Sequence, residues 1–118
     1  MSNSTIRIIY YVSTGLLTLL MLFSASMYLF NTEMVKEAFS ALNYPTYLIY
    51  PLAIAKLLGL VAIWTRRSAT LYEWAYAGFF FDTVLAATAH LMMQDGSQGA
   101  AIVGVVLVLV SYWASKRV

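Results

Sequence analysis

An all-α, polytopic membrane protein is the fold class this sequence predicts: a bundle of four transmembrane helices, with a short interfacial helix between spans 1 and 2. Three observations predict it. Hydrophobic residues make up 62% of the chain and charged ones 10%, against about 45–50% and 25% in soluble domains, and the mean hydropathy is +0.77. Four apolar segments, at about 7–30, 46–64, 71–93 and 99–115, have the length needed to cross roughly 30 Å of hydrocarbon. Finally, Arg7, Arg66, Arg67, Lys116 and Arg117 all flank these segments on one side, whereas the other side carries Lys36 beside Glu33 and Glu37. Lys and Arg accumulate on the cytoplasmic side of short loops, so both termini are expected there. A multi-pass protein of the bacterial inner (plasma) membrane is the expected localisation.

The first span follows Arg7. Its apolar run, Ile8 to Phe30, exceeds the roughly 7–15 residues of a signal-peptide core and reads as a retained helix. Ser24, Ser26, Met27 and Tyr28 make its outer half mildly polar, with the serines expected to bond to neighbouring helices. Residues 33–42 place Met34, Val35, Ala38, Phe39 and Leu42 on one stripe, opposite Glu33, Lys36, Glu37 and Ser40. That pattern predicts a helix lying on the outer membrane surface, with Thr32 as its N-cap. "NYPTY" opens the second span, with Pro45 in a first turn, and Pro51 about one turn further in is a candidate kink. Asp95-Gly96 ends the third span and Ser97 is placed to cap the fourth. That fourth span, "GAAIVGVVLVLVSYWAS", is valine-rich. It is still expected to be helical, because hydrocarbon obliges a single span to satisfy its own backbone. Tyr44, Tyr47, Trp64, Tyr72, Trp74, Tyr112 and Trp113 fall near span ends, where aromatic belts form. All 118 residues are read as a single domain.

Composition excludes several chemistries. The chain has no cysteine, which removes disulfides, thiolate metal ligands and thiol redox steps by the protein itself. A single histidine leaves no metal site and no haem pair, and no covalent cofactor is expected. A net charge of +2 with scattered basic residues argues against nucleic acid. The lipid bilayer is the expected surrounding.

The third span raises the functional question, since "EWAYAGFFFDTVLAATAH" carries Glu73, Asp82 and His90. With the turn between spans 2 and 3 near Ala69, Lys56 and Asp82 each lie thirteen residues from it. In antiparallel helices rising about 1.5 Å per residue the two reach equal depth near mid-membrane. Each alone costs about 2.5–3.5 kcal/mol there, so mutual neutralisation is predicted. Small residues on the facing stripes, Ala53 and Gly59 against Gly78, Ala86 and Ala89, predict close helix packing. Such a pair either fixes helix register or builds a polar, proton-coupled ligand site. His90, two turns beyond Asp82 and about 80° around the helix, is placed to line an adjoining wall as a proton relay. Alternatively it bonds to Thr83, Thr88 or a tyrosine of another helix. Tyr50 lies at a similar depth and joins the candidates. For Glu73 the reading is structural: Thr70 and Glu73 form a capping box at the positive end of the helix dipole.

These residues carry a family likeness. Tyr44-Pro45, "KLLG" from Lys56 to Gly59, and "EWAYAGFFFD" followed by His90 resemble the DoxX-like family of small four-span bacterial membrane proteins. The resemblance covers the second and third spans, through Lys56, Glu73, Trp74, Ala75, Tyr76, Ala77, Gly78, Asp82 and His90. It implies a four-helix membrane bundle in a redox setting at the quinone pool, while the lack of cysteine argues against a direct sulfur relay. Three functions follow as expectations. The first is binding of a quinone-like or other small hydrophobic ligand, with Lys56, Asp82, His90 and Tyr50 as polar contacts or proton relay. The second is an assembly or accessory role, as a homodimer or beside a partner membrane subunit through the apolar fourth span. The third, a small proton-coupled transporter, would require the Lys56–Asp82 pair to open in each cycle.

Overall fold

The computed structural model describes residues 2–41, 43–93 and 98–118. Among them lie helices α1 (Asn3–Phe30), α2 (Thr32–Ala41), α3 (Ile49–Thr65), α4 (Ala69–Met93) and α5 (Gln98–Ser115), with a 3₁₀ turn at Thr46–Leu48 leading into α3. No strand occurs among the described residues. Leu42, and the helix end and cap read at Asp95, Gly96 and Ser97, lie outside those residues.

Each long helix buries one stripe at a spacing of three or four. On α1 it runs through Tyr10, Thr14, Leu17, Met21 and Ala25, and on α3 through Ile49, Ala53, Lys56, Leu60 and Ile63. On α4 the buried stripe is Tyr72, Tyr76, Phe79, Thr83 and Ala87. Stripes of this width dictate how many neighbours a helix takes: α1 packs on α3 and α5, and α4 packs on the same two. The four long helices therefore close a ring in which α1 faces α4 across a diagonal. Paired contacts run in opposite order along every adjacent pair, which is therefore antiparallel: 18–64 with 24–56, 56–82 with 59–79, 76–111 with 72–115, and 14–111 with 20–104. The core joins Leu17, Met21, Leu60, Ile63, Tyr72, Tyr76, Phe79 and Val108. Many large apolar residues also lie on the outside of the ring, and helices so apolar on both faces would, in a bilayer, be held together by close packing.

Two glycines supply that closeness. A Cβ on Gly59 would stand 2.8 Å from Phe79 Cζ, and one on Gly104 would stand 3.0 Å from Leu20 Cδ2 and 3.1 Å from Thr83 Cγ2. Gly78, expected to pack, has open space around it. It sits beside Phe79 but points away, because the α4 stripe is set by the larger aromatic residues. Ala86 is half-buried and Ala53 fully buried.

Three end-of-helix expectations are corrected. Thr32 does not cap α2: it is already helical, and its hydroxyl donates back to the Tyr28 and Leu29 carbonyls of α1. Thr70 does not cap α4 either. The helix begins at Ala69, so Ser68 is the flanking residue, and its hydroxyl accepts from the Leu71 amide at 3.3 Å. Pro45 precedes the 3₁₀ turn rather than opening a helical turn. Arg66, at φ 54°, reverses the chain after α3, which allows the short link to α4.

By length and composition, α1 and the segment Thr46–Thr65 suffice to cross a membrane, and Gly99–Ser115 is apolar but shorter. Among the described residues α4 is not in that group; Glu73, Asp82, His90 and its tyrosines lower its hydropathy. α2 is amphipathic, with Val35 buried and Phe39 edge-on to both Tyr28 and Tyr44.

Candidate functional site

Lys56 occupies the middle of the buried stripe of α3, where its neighbours along the helix are apolar and where it is 5% exposed. Three groups from two other helices surround its ammonium. Nζ donates to Ser24 Oγ of α1 at 2.6 Å, lies 3.8 Å from the ring centre of Tyr28 one turn further along α1, and lies 3.8 Å from Asp82 Oδ1 of α4. At about 4 Å and an effective dielectric near 20, opposite charges attract by roughly 4 kcal/mol. A cation over a desolvated ring adds up to about 2 kcal/mol. Together these are of the size needed to keep an ammonium in a helix bundle.

The register explains the meeting. Lys56 and Asp82 lie equally far from residue 69, as do Gly59 and Phe79. The missing side chain at Gly59 lets α4 come near enough for the lysine to span the gap. The two charges differ in setting: the Lys56 side chain is 5% exposed, the Asp82 side chain 28%. The carboxylate thus forms the open side of the pair.

The other candidates are distributed differently. His90 is half-buried two turns beyond Asp82 on α4. Thr83 and Thr88 send their hydroxyl protons back to carbonyls of their own helix. Tyr50 is half exposed and lies off the stripe that carries Lys56, since a separation of six residues turns it well round the helix. Pro51 falls in the first turn of α3, where a missing N–H deprives no carbonyl of a partner.

Glu73 takes part in something other than a capping box. Tyr112 Oη donates to its Oε2 at 2.7 Å, and Lys116 bonds to its Oε1, so the residue ties α4 to the end of α5. Its carboxylate holds the Lys116 ammonium above its ordinary pKa of 10.5. A polar seam nearby was not anticipated. Ser111 Oγ lies 2.5 Å from Thr14 Oγ1 and 2.7 Å from Tyr76 Oη, Tyr72 Oη bonds to Ser115 Oγ, and Arg66 donates to the Ser115 carbonyl at 2.9 Å. Tyr72, assigned to an aromatic belt, is instead buried. The available signal was spacing: Tyr72 and Tyr76, like Ser111 and Ser115, recur at four residues and so share one helix face. Ser24 and Tyr28 have the same spacing on α1.

Among the described residues no group of three or more potential ligands could hold a metal ion. A buried ammonium, a partly open carboxylate, a hydroxyl and an aromatic face can bind a polar group or exchange a proton. No curated protein matches the chain, and neither does any solved structure. The DoxX-like family matches residues 12–114, a stretch that contains Ser24, Tyr28, Lys56, Asp82 and His90, and the chain belongs to the DoxX-like family.

Proposed function

We propose that this is a four-span protein of the bacterial inner membrane, with both termini cytoplasmic, whose Lys56–Asp82 cluster binds the polar end of a small hydrophobic molecule. A quinone-like ring in a membrane redox setting is the ligand class that fits. The observation that carries the reading is the asymmetry of the pair: a nearly inaccessible ammonium behind a carboxylate that is still 28% exposed. Charged groups inside membrane bundles face functional cavities far more often than lipid. The long axis of 46 Å also suits a bilayer of about 40–45 Å including its headgroups.

The asymmetry selects the ligand's chemistry. Lys56 already donates to Ser24 and faces Asp82 and the Tyr28 ring, whereas the carboxylate keeps free lone pairs on its open side. A carboxylate only accepts, so the preferred group is a donor, such as the hydroxyl of a reduced, quinol-type ring. His90, nearer the outer face, is the candidate to conduct protons between the site and that face. A short-chain quinol analogue should then bind wild type more tightly than Asp82→Asn by about tenfold, the worth of one charge-assisted hydrogen bond. Equal binding in wild type, Asp82→Ala and His90→Ala removes these residues from the site.

The full set of partners around Lys56 also supports a second reading. An ammonium with three neighbours can serve as a register latch in an accessory subunit without any ligand of its own. Co-purification of a larger membrane enzyme in mild detergent, together with no quinol binding, would favour it.

A further inference from the structure

A groove of about 360 Å³ runs along the outside of the ring between α4 and α5, away from Lys56. Its floor is apolar, formed by Ala77, Phe80, Val108 and Leu109, and Glu73 and Tyr112 line one end. From Glu73 to Phe81 it follows α4 for about 12 Å at 1.5 Å per residue. Among the described residues, more cations than anions lie toward that end. Lys116 bonds Glu73, Arg66 is anchored on the Ser115 carbonyl, and Arg117 is anchored on the Trp113 carbonyl. Glu73 neutralises one of the three, leaving two positive charges at the end of the bundle toward which the Glu73 end of the groove points.

The geometry points to a bound anionic phospholipid, with one acyl chain along the α4–α5 groove and the phosphate at Arg66, Lys116 and Arg117. This rests on the membrane-spanning reading, because the groove then opens sideways to the bilayer with its charged end at the headgroup layer. A second copy of the chain fits less well. Copies inserted with the same orientation would bring their basic ends together, and like charges repel.

The test compares retention of phosphatidylglycerol and phosphatidylcholine with identical acyl chains, by native mass spectrometry of the protein released from detergent. Wild type should retain the anionic lipid about fivefold more strongly, the worth of one basic side chain near an anionic surface. Ala77→Phe and Leu109→Trp fill the groove from exposed positions and should bring the two lipids to parity. Equal retention by wild type overturns the inference. So does a preference that survives in either folded variant, since it would then belong to the basic end as a whole. Extraction of the protein from membranes by alkaline carbonate, without detergent, would instead count against the spanning reading itself.

Discussion

Two glycines separate what a residue's identity says from what its surroundings decide. Gly59 and Gly78 both sit in apolar helices, yet an added methyl meets Phe79 at the first and nothing at the second. Phe79 is itself buried and has little room to retreat. Gly59→Ala should therefore destabilise the protein by about 1–3 kcal/mol, the range for overpacking. Gly78→Ala should be neutral or stabilise by up to about 1 kcal/mol, the difference in helix propensity. Unfolding followed in mixed micelles measures both, and equal effects would contradict the packing described. The cap follows the same logic. Ser68→Ala removes the hydroxyl that accepts from Leu71 and should cost about 0.5–2 kcal/mol, with Thr70→Ala costing clearly less. Sequence alone favoured Thr70, because Glu73 stands three residues later. What it could not contain was the competing offer from α5, where Lys116 and Tyr112 occupy the same carboxylate.

At the scale of elements, helix and loop were readable because hydrophobic runs and Gly, Pro and Ser punctuation are local. So was depth: consecutive antiparallel helices joined by a short link place residues equidistant from the turn side by side, which is why Lys56 and Asp82 face one another. Rotation was harder. Which side of α3 meets α1 depends on packing around the whole ring, so Ser24 and Tyr28 as neighbours of Lys56, and Tyr50 outside the cluster, could not be derived from spacing alone. The latch between α4 and α5 carries a pH prediction. Because Glu73 raises the pKa of Lys116 above 10.5, the unfolded chain loses this proton first as pH rises. The latch's contribution is complete below that value and declines as pH climbs through the raised one. Thermal unfolding of wild type and Lys116→Met should thus differ at pH 8 and converge toward pH 12. A constant difference would mean that the lysine acts by packing alone.

For the molecule as a whole, the distribution of Lys and Arg supports the proposed orientation, and the ring of helices is consistent with it: residues 7, 66, 67, 116 and 117 belong to the end where α3 turns into α4. The absence of native cysteine makes this directly measurable. Ser4→Cys, Arg67→Cys and Lys36→Cys are single reporters, and a membrane-impermeant maleimide should label only Lys36→Cys in intact spheroplasts. Labelling of Arg67→Cys from outside would reverse the topology.

Everything proposed for the interior depends on Lys56 and Asp82 compensating one another, and a double-mutant cycle measures that compensation. Lys56→Met and Asp82→Leu should each destabilise the protein by roughly 3–5 kcal/mol, because each leaves an opposite charge unanswered inside the ring. Combined, they should cost less than their sum, by a coupling of about 1–3 kcal/mol. Additive losses, with no coupling, would mean that the two charges do not depend on one another and would contradict the account.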